Sequence, residues 1–173
     1  MTEGYPRSVG DLAAWARENR VTVAEARQRF AQYVVLCGIA SVPSLRANLV
    51  FKGGNALAFV WRPNRSTLDL DFSLDIVGAR FQADIETIRT LLERGLRVAT
   101  NRFGVAFAVN PIRQQPPGEG RTRATYVARV GYGLPDEAQL LIRMANSQTS
   151  PHVLPIEISI NEPIGAATLF TID

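Results

Sequence analysis

Asp69 and Asp71 lie two residues apart in a stretch, residues 68–74, where apolar and polar side chains alternate. Alternation is the mark of a strand with one buried face, so Leu68, Leu70, Phe72 and Leu74 should point one way and Asp69, Asp71, Ser73 and Asp75 the other. Like charges about 6–7 Å apart along one face cost stability unless solvent, arginines or a cation offset them. Magnesium suits such a pair, because it takes a few hard carboxylate oxygens and leaves positions for water and nucleotide phosphates. A second alternating run, LPIEISINE at 154–162, puts Ile156, Ile158 and Ile160 on one face and Glu157, Ser159 and Asn161 on the other. Glu157 is then either a third acid of the site or an ordinary surface carboxylate. Three acids on adjacent strands can hold two magnesium ions and support phosphoryl or nucleotidyl transfer, where positioning and charge neutralisation supply most of the catalysis.

Ahead of the aspartates, FKGGNAL places Gly53 and Gly54 between a short apolar run, 49–51, and a helical segment, 55–61. Small residues at a strand-to-helix turn let backbone N–H groups and the helix N-terminus approach a triphosphate, although a Gly-Gly pair also serves as a plain turn. Asn55 could cap that helix or bond a phosphate. Lys52, Arg62 and Arg65 are cations within reach in sequence of the same turn. Other site types fail on the same letters. A calcium loop would need glycine at Leu74 and glutamate at Arg80. Lys52 precedes the glycines instead of following them, so there is no Walker sequence. His152, the sole histidine, sits between Pro151 and Val153 as a loop residue, which removes serine-hydrolase and histidine-metal chemistry.

The elements that must position these residues follow from periodicity. Leu12, Ala13, Ala14 and Trp15 predict a short first helix, and Thr22 with Glu25 a capping box that opens a longer one. In that helix Val23, Ala26, Phe30, Tyr33, Val34, Cys37 and Ile39 mark one buried face, with Trp15 and Cys37 expected in the core. Pro43 and Asn48 punctuate a connection. Residues 82–96 predict a helix stopping near Gly95. Residues 105–109 and 124–130 predict strands, joined by a long exposed loop whose Arg113, Arg121 and Arg123 either sit in solvent or touch nucleic acid. Residues 137–145 predict a last helix. The order implies an α+β or mixed α/β fold around one central sheet.

The 173 residues suit one domain with a sizeable apolar core, and the composition is that of an ordinary globular chain. The net charge of +3 rests on arginines, Lys52 being the sole lysine, and arginine grips phosphate bidentately. One cysteine, Cys37, allows neither an internal disulfide nor a cysteine-rich zinc site. No run is long enough to span a bilayer and no targeting signal is evident, so the cytoplasm is the expected compartment.

With these residues in view, FKGGNAL followed by RSTLDLDFS resembles the KGGTAL…RxSxDLDF core of the AbiEii/AbiGii-type toxins, within the DNA polymerase beta-like nucleotidyltransferase superfamily. The resemblance is specific over 49–75 and extends from the preceding helices to IEISINE. It implies a nucleotidyltransferase fold, a central mixed β-sheet with flanking helices, with N-terminal helices at 1–47 and the core at 48–173. It implies Lys52, Gly53, Gly54, Asn55, Arg65 and Thr67 as nucleotide-binding residues, and Asp69, Asp71 and Glu157 as catalytic, metal-binding acids. It also implies magnesium, a nucleoside triphosphate donor, an acceptor such as a tRNA 3′ end, and a cognate antitoxin. Asn55 stands where the family usually has threonine or serine. Relatives continue into a helical region with a lysine and an RDLxDL-like segment, which 1–173 does not contain, so the chain reads as short of that region. A fragment that binds nucleotide or RNA without transfer, or a phosphotransferase on the same fold, are the alternatives.

Overall fold

A computed structural model describes residues 5–60, 67–74, 84–118, 124–146, 149–160 and 162. The predicted start of the second helix is where local chemistry put it. Thr22 Oγ1 accepts from the Glu25 N–H at 3.1 Å and Glu25 Oε2 accepts from the Thr22 N–H at 2.7 Å, closing the capping box that opens α2 (Val23–Ser41) behind α1 (Leu12–Asn19). Asp84 caps α5 (Ile85–Phe103) by accepting from the Thr87 N–H at 2.8 Å.

Around these helices the chain forms a six-stranded mixed sheet in the order β1-β2-β6-β5-β3, with β4 also pairing β5. The strands are β1 (Leu49–Lys52), β2 (Leu70–Leu74), β3 (Ala106–Val109), β4 (Arg113–Gln115), β5 (Thr125–Gly133) and β6 (Val153–Ile160). β2 and β6 run parallel, while β1–β2, β5–β6, β3–β5 and β4–β5 are antiparallel. A parallel pair needs a long crossover, and here α5, β3, β4, β5 and α6 (Ala138–Ala145) supply it. Leu70, Phe72 and Leu74 of β2, Leu154, Ile156 and Ile158 of β6, and Ala128 and Val130 of β5 share one core with α2 and α5. The opposite face of the same strands carries Asp71, Ser73, Glu157 and Ser159.

Several expectations change. α2 is buried at every residue from Arg29 to Leu36, not on one face, because it lies in the middle of the helical layer. Val23 is exposed at its start and Cys37 is only half-buried. Residues 43–48 are a helix, α3 (Pro43–Asn48), with Pro43 in its first turn, where a missing N–H costs nothing. Residues 113–115 of the supposed loop are strand β4. β2 begins at Leu70, and Leu68 is 68% exposed instead of buried.

Gly95 does not stop α5, which runs on to Gly104 (φ 72°) as its left-handed C-cap. Gly95 instead faces Gly38 of α2, and a Cβ at either would meet the other's carbonyl oxygen, at 2.5 Å from Gly95 and 2.9 Å from Gly38. Two glycines thus let α2 and α5 approach backbone to backbone. Gly95→Ala would gain about 1 kcal/mol of helix propensity in isolation. The blocked approach should outweigh it and lower stability by about 1–3 kcal/mol, measurable by urea denaturation. An alanine variant as stable as the parent would show that the helices can separate freely.

Candidate active site

Strand order converts scattered letters into one row. Lys52 of β1 pairs in register with Asp71 of β2, and Asp71 with Glu157 of β6, so a cation, a carboxylate and a second carboxylate stand side by side on adjacent strands. Neighbouring strands are about 4.8 Å apart. Asp71 is half-buried, and burial raises its pKa; Asp69, Glu157 and Glu162 push it further up, while Lys52 pulls the other way. Asp69 lies just before β2.

β1 passes directly into α4 (Gly53–Val60) at Gly53, whose φ of +73° lies in the left-handed region. A Cβ there would strike the Asp71 carboxylate, and one at Gly54 would come within 2.6 Å of Thr67 Cγ2. The glycine turn is therefore pressed against Asp71 and Thr67. Lys52 Nζ donates to Ser159 Oγ at 3.1 Å and is ion-paired with Glu162, to which Ser73 Oγ also donates at 2.7 Å. Arg129, exposed on β5, shares the face of Val127, whose register partner is Glu157. A cavity of about 270 Å³, lined in part by Gln115, Thr125, Ser159 and Glu162, adjoins the Lys52–Glu162 pair.

Asn55 departs most from its expected role. Its side chain is fully buried and turned inward: Oδ1 accepts from Arg29 Nη1 at 2.8 Å, and Nδ2 donates to the carbonyls of Thr67, at 3.0 Å, and Asp69. In this arrangement it neither caps α4 nor offers its amide to a phosphate. The Thr67 carbonyl also accepts from Gln32 Nε2 at 2.8 Å. Arg29, 2% exposed, has its pKa pulled down to about 10 by burial, which leaves it cationic at neutral pH. Arg65, like Arg62, Asp75, Asn161, Arg121 and Arg123, lies outside the described residues. Arg113 is exposed on β4, and His152 Nε2 bonds Glu137 Oε1 at 3.0 Å, away from the acid row.

Sequence reasoning missed Arg29, Gln32, Glu162 and Arg129. Gln32 was marked by being the one amide in the apolar run 30–36, whereas Arg29, directly after Arg27 and Gln28, carried no such signal. Arg129 was findable by counting alternate positions along 125–133. Glu162 carried no such signal, since its parity along the strand assigns it to the core face, and β6 ends at Ile160 before that parity applies.

The donor chemistry here suits a hard divalent cation: carboxylates, one of them held above its ordinary pKa by burial and by neighbouring acids, with no soft ligand among the described residues of the site. Among the described residues no three histidine, cysteine, aspartate or glutamate side chains gather closely enough to hold one ion. Magnesium does not need such a cage, because it commonly binds through one or two carboxylates and completes its shell with water and substrate phosphates.

A mixed sheet with flanking helices, a glycine turn after its first strand and acids on its open face define a nucleotidyltransferase-like domain. The family model described as nucleotidyl transferase AbiEii toxin, type IV toxin–antitoxin system, matches residues 34–172, and the chain belongs to that family. No curated protein and no solved structure matches it. No described helix is long and apolar enough to cross a membrane.

The crowding of Asp71 has a measurable consequence. Its folded-state pKa lies above its unfolded one, so its ionised form costs the folded state stability above the folded pKa, and the cost disappears as pH falls through that value toward the unfolded pKa. Without divalent ions, Asp71→Asn should raise Tm at pH 7 by up to about 2 °C, solvent screening at this part-exposed carboxylate keeping the effect small. The two proteins should converge as the pH is lowered through the range where Asp71 protonates. A variant less stable than the parent at pH 7 would mean that the carboxylate is stabilised, not crowded.

Proposed function

We propose that this domain transfers a nucleoside monophosphate from a nucleoside triphosphate to a hydroxyl of an RNA acceptor such as a tRNA 3′ end, as the toxin of a toxin–antitoxin pair. The observation that carries the reading is the Lys52–Asp71–Glu157 row with the Gly53 turn packed against its central acid. Family membership supports the reaction class. A tRNA acceptor and an antitoxin partner would put this activity in the cytoplasm.

Asp69, Asp71 and Glu157 would hold two magnesium ions, which when bound would neutralise phosphate charge and polarise the attacking hydroxyl. The backbone at Gly53 and Gly54 would meet the triphosphate at the start of α4. Lys52, exchanged from Glu162 to the polyphosphate, would offset charge on the departing pyrophosphate. The acceptor oxygen bonds to the α-phosphorus, the bond from that phosphorus to the bridging oxygen of the β-phosphate breaks, pyrophosphate leaves with the electron pair, and the hydroxyl proton passes to solvent. Arg129 and the cavity beside Ser159 would receive the acceptor strand, which is polyanionic.

Incubation with each alpha-labelled triphosphate, magnesium and total tRNA should label RNA. Asp69→Ala and Asp71→Ala should each reduce labelling on the order of 10³-fold, the equivalent of about 4 kcal/mol of lost charge stabilisation. Labelling unchanged in both variants would remove the proposed centre. Transfer from a gamma-labelled donor instead would identify a phosphotransferase, and nucleotide binding with no transfer a binding domain.

A further inference from the structure

Asp71 and Glu157 are aimed by the sheet, because each stands in a hydrogen-bonded register with its neighbour. Asp69 is not: β2 begins one residue later, and the preceding Leu68 is exposed. The carbonyls of Thr67 and Asp69 that a longer strand would give to a neighbour go instead to Asn55 Nδ2, and that of Thr67 also to Gln32 Nε2.

The amide of Asn55 has only one workable orientation. Arginine can only donate and a carbonyl can only accept, so Oδ1 must face Arg29 and Nδ2 must face the 67–69 turn. Gln32 is fixed in the same way, with Nε2 on Thr67. All three side chains are buried, and among the described residues no donor meets Gln32 Oε1. Burying a guanidinium and a half-matched amide is costly, and apolar residues of similar volume would fill α2 at lower cost. What these polar groups supply is direction for a turn that the sheet does not hold.

We propose that Arg29 and Gln32, on α2 behind the site, are positioning residues for the transfer reaction: through Asn55 and the Thr67 carbonyl they fix the 67–69 turn and so the direction from which Asp69 meets Asp71. This rests on the proposed metal-dependent transfer. Both residues lie ahead of the segment matched by the family model, residues 34–172, so the network joins the matched region to chain outside it.

Gln32→Met removes one donor to Thr67 while keeping volume. Asn55→Asp keeps an acceptor for Arg29 but replaces the donors to Thr67 and Asp69 with a repelling oxygen. Each full-length variant is compared with the parent by thermal melting, by manganese binding followed through the EPR signal of the free ion, and by labelling rate against manganese concentration. For variants that remain folded, manganese should bind at least about 10-fold more weakly, with the lost rate partly restored at high manganese. In an Asp69→Asn background the same substitutions should weaken manganese binding little further, since the group they aim is gone. Arg29→Lys, which keeps charge and most of the volume, is the mild variant should Gln32→Met or Asn55→Asp unfold, and the same weakening is expected.

Unchanged manganese affinity in folded variants, or full additivity with Asp69→Asn, would overturn the proposal and leave the network a purely structural one. A parent that binds no manganese would overturn it as well. If the parent binds manganese but moves no label from any triphosphate, the transfer reading fails alone. The binding comparison then still decides positioning: weaker binding in the variants supports it and equal binding rejects it.

Discussion

A carboxylate placed in the interior of a sheet, at Asp71, sets the terms for everything around it. Burial and the nearby acids disfavour its charge, so the surrounding chain must either offset that charge or leave room for something that does. β1 brings Lys52 alongside in antiparallel register and then turns at once through Gly53, where even a methyl group would collide with the carboxylate. β6 brings Glu157 alongside in parallel register, which adds to the repulsion. A fold selected for stability alone would not put a second acid there. The arrangement is intelligible as a receptor for positive charge, with the helical layer and its apolar core supplying the stability that the acid row gives up.

The acids are held by two different devices. Asp71 and Glu157 inherit their positions from strand pairing, a repetitive and cooperative constraint. Asp69 stands just before the strand begins, in a turn held through main-chain carbonyls by amides that reach it from α4 and α2. Because α2 is also heavily buried and packed backbone to backbone with α5 at Gly38 and Gly95, the turn before β2 is tied to the core of the molecule. The same helix thus belongs to the core and, through Arg29 and Gln32, to the site.

What could be read from the chain divides along the range of the forces involved. Short-range signals transferred directly: the Thr22–Glu25 box, the alternation in 70–74 and 154–160, and the glycine turn after Phe51 and Lys52. These gave the mixed α/β fold class and brought Asp71, Glu157 and the turn together on paper. Residues whose meaning is set by a distant partner were misread. Gly95 looked like a helix stop because the reason for it, Gly38, is on another helix. Leu68 fitted the alternation, yet the carbonyls on either side of it are taken by Asn55 and Gln32, and the strand starts later. Asn55 had the composition of a cap, and only the arrival of Arg29 from α2 shows that its amide faces inward. β4 was hidden in a loop composition because β5 supplies its entire pairing.

Lys52 shows how the resting arrangement and the working one can differ at small cost. Its partner Glu162 is about as exposed as a surface residue, and the pair sits at the edge of the acid row instead of within it. Exposed pairs of this kind contribute about 1 kcal/mol or less. A polyphosphate carries several charges and would be held by the glycine turn and by cations at the acids as well, so it can displace a single carboxylate without disturbing the fold. Glu162 and Ser159 hold the ammonium of Lys52 along the open face of the sheet. On the proposed reading, that placement would leave Asp71 and Glu157 to a divalent cation, which can bind carboxylates and a phosphate at the same time.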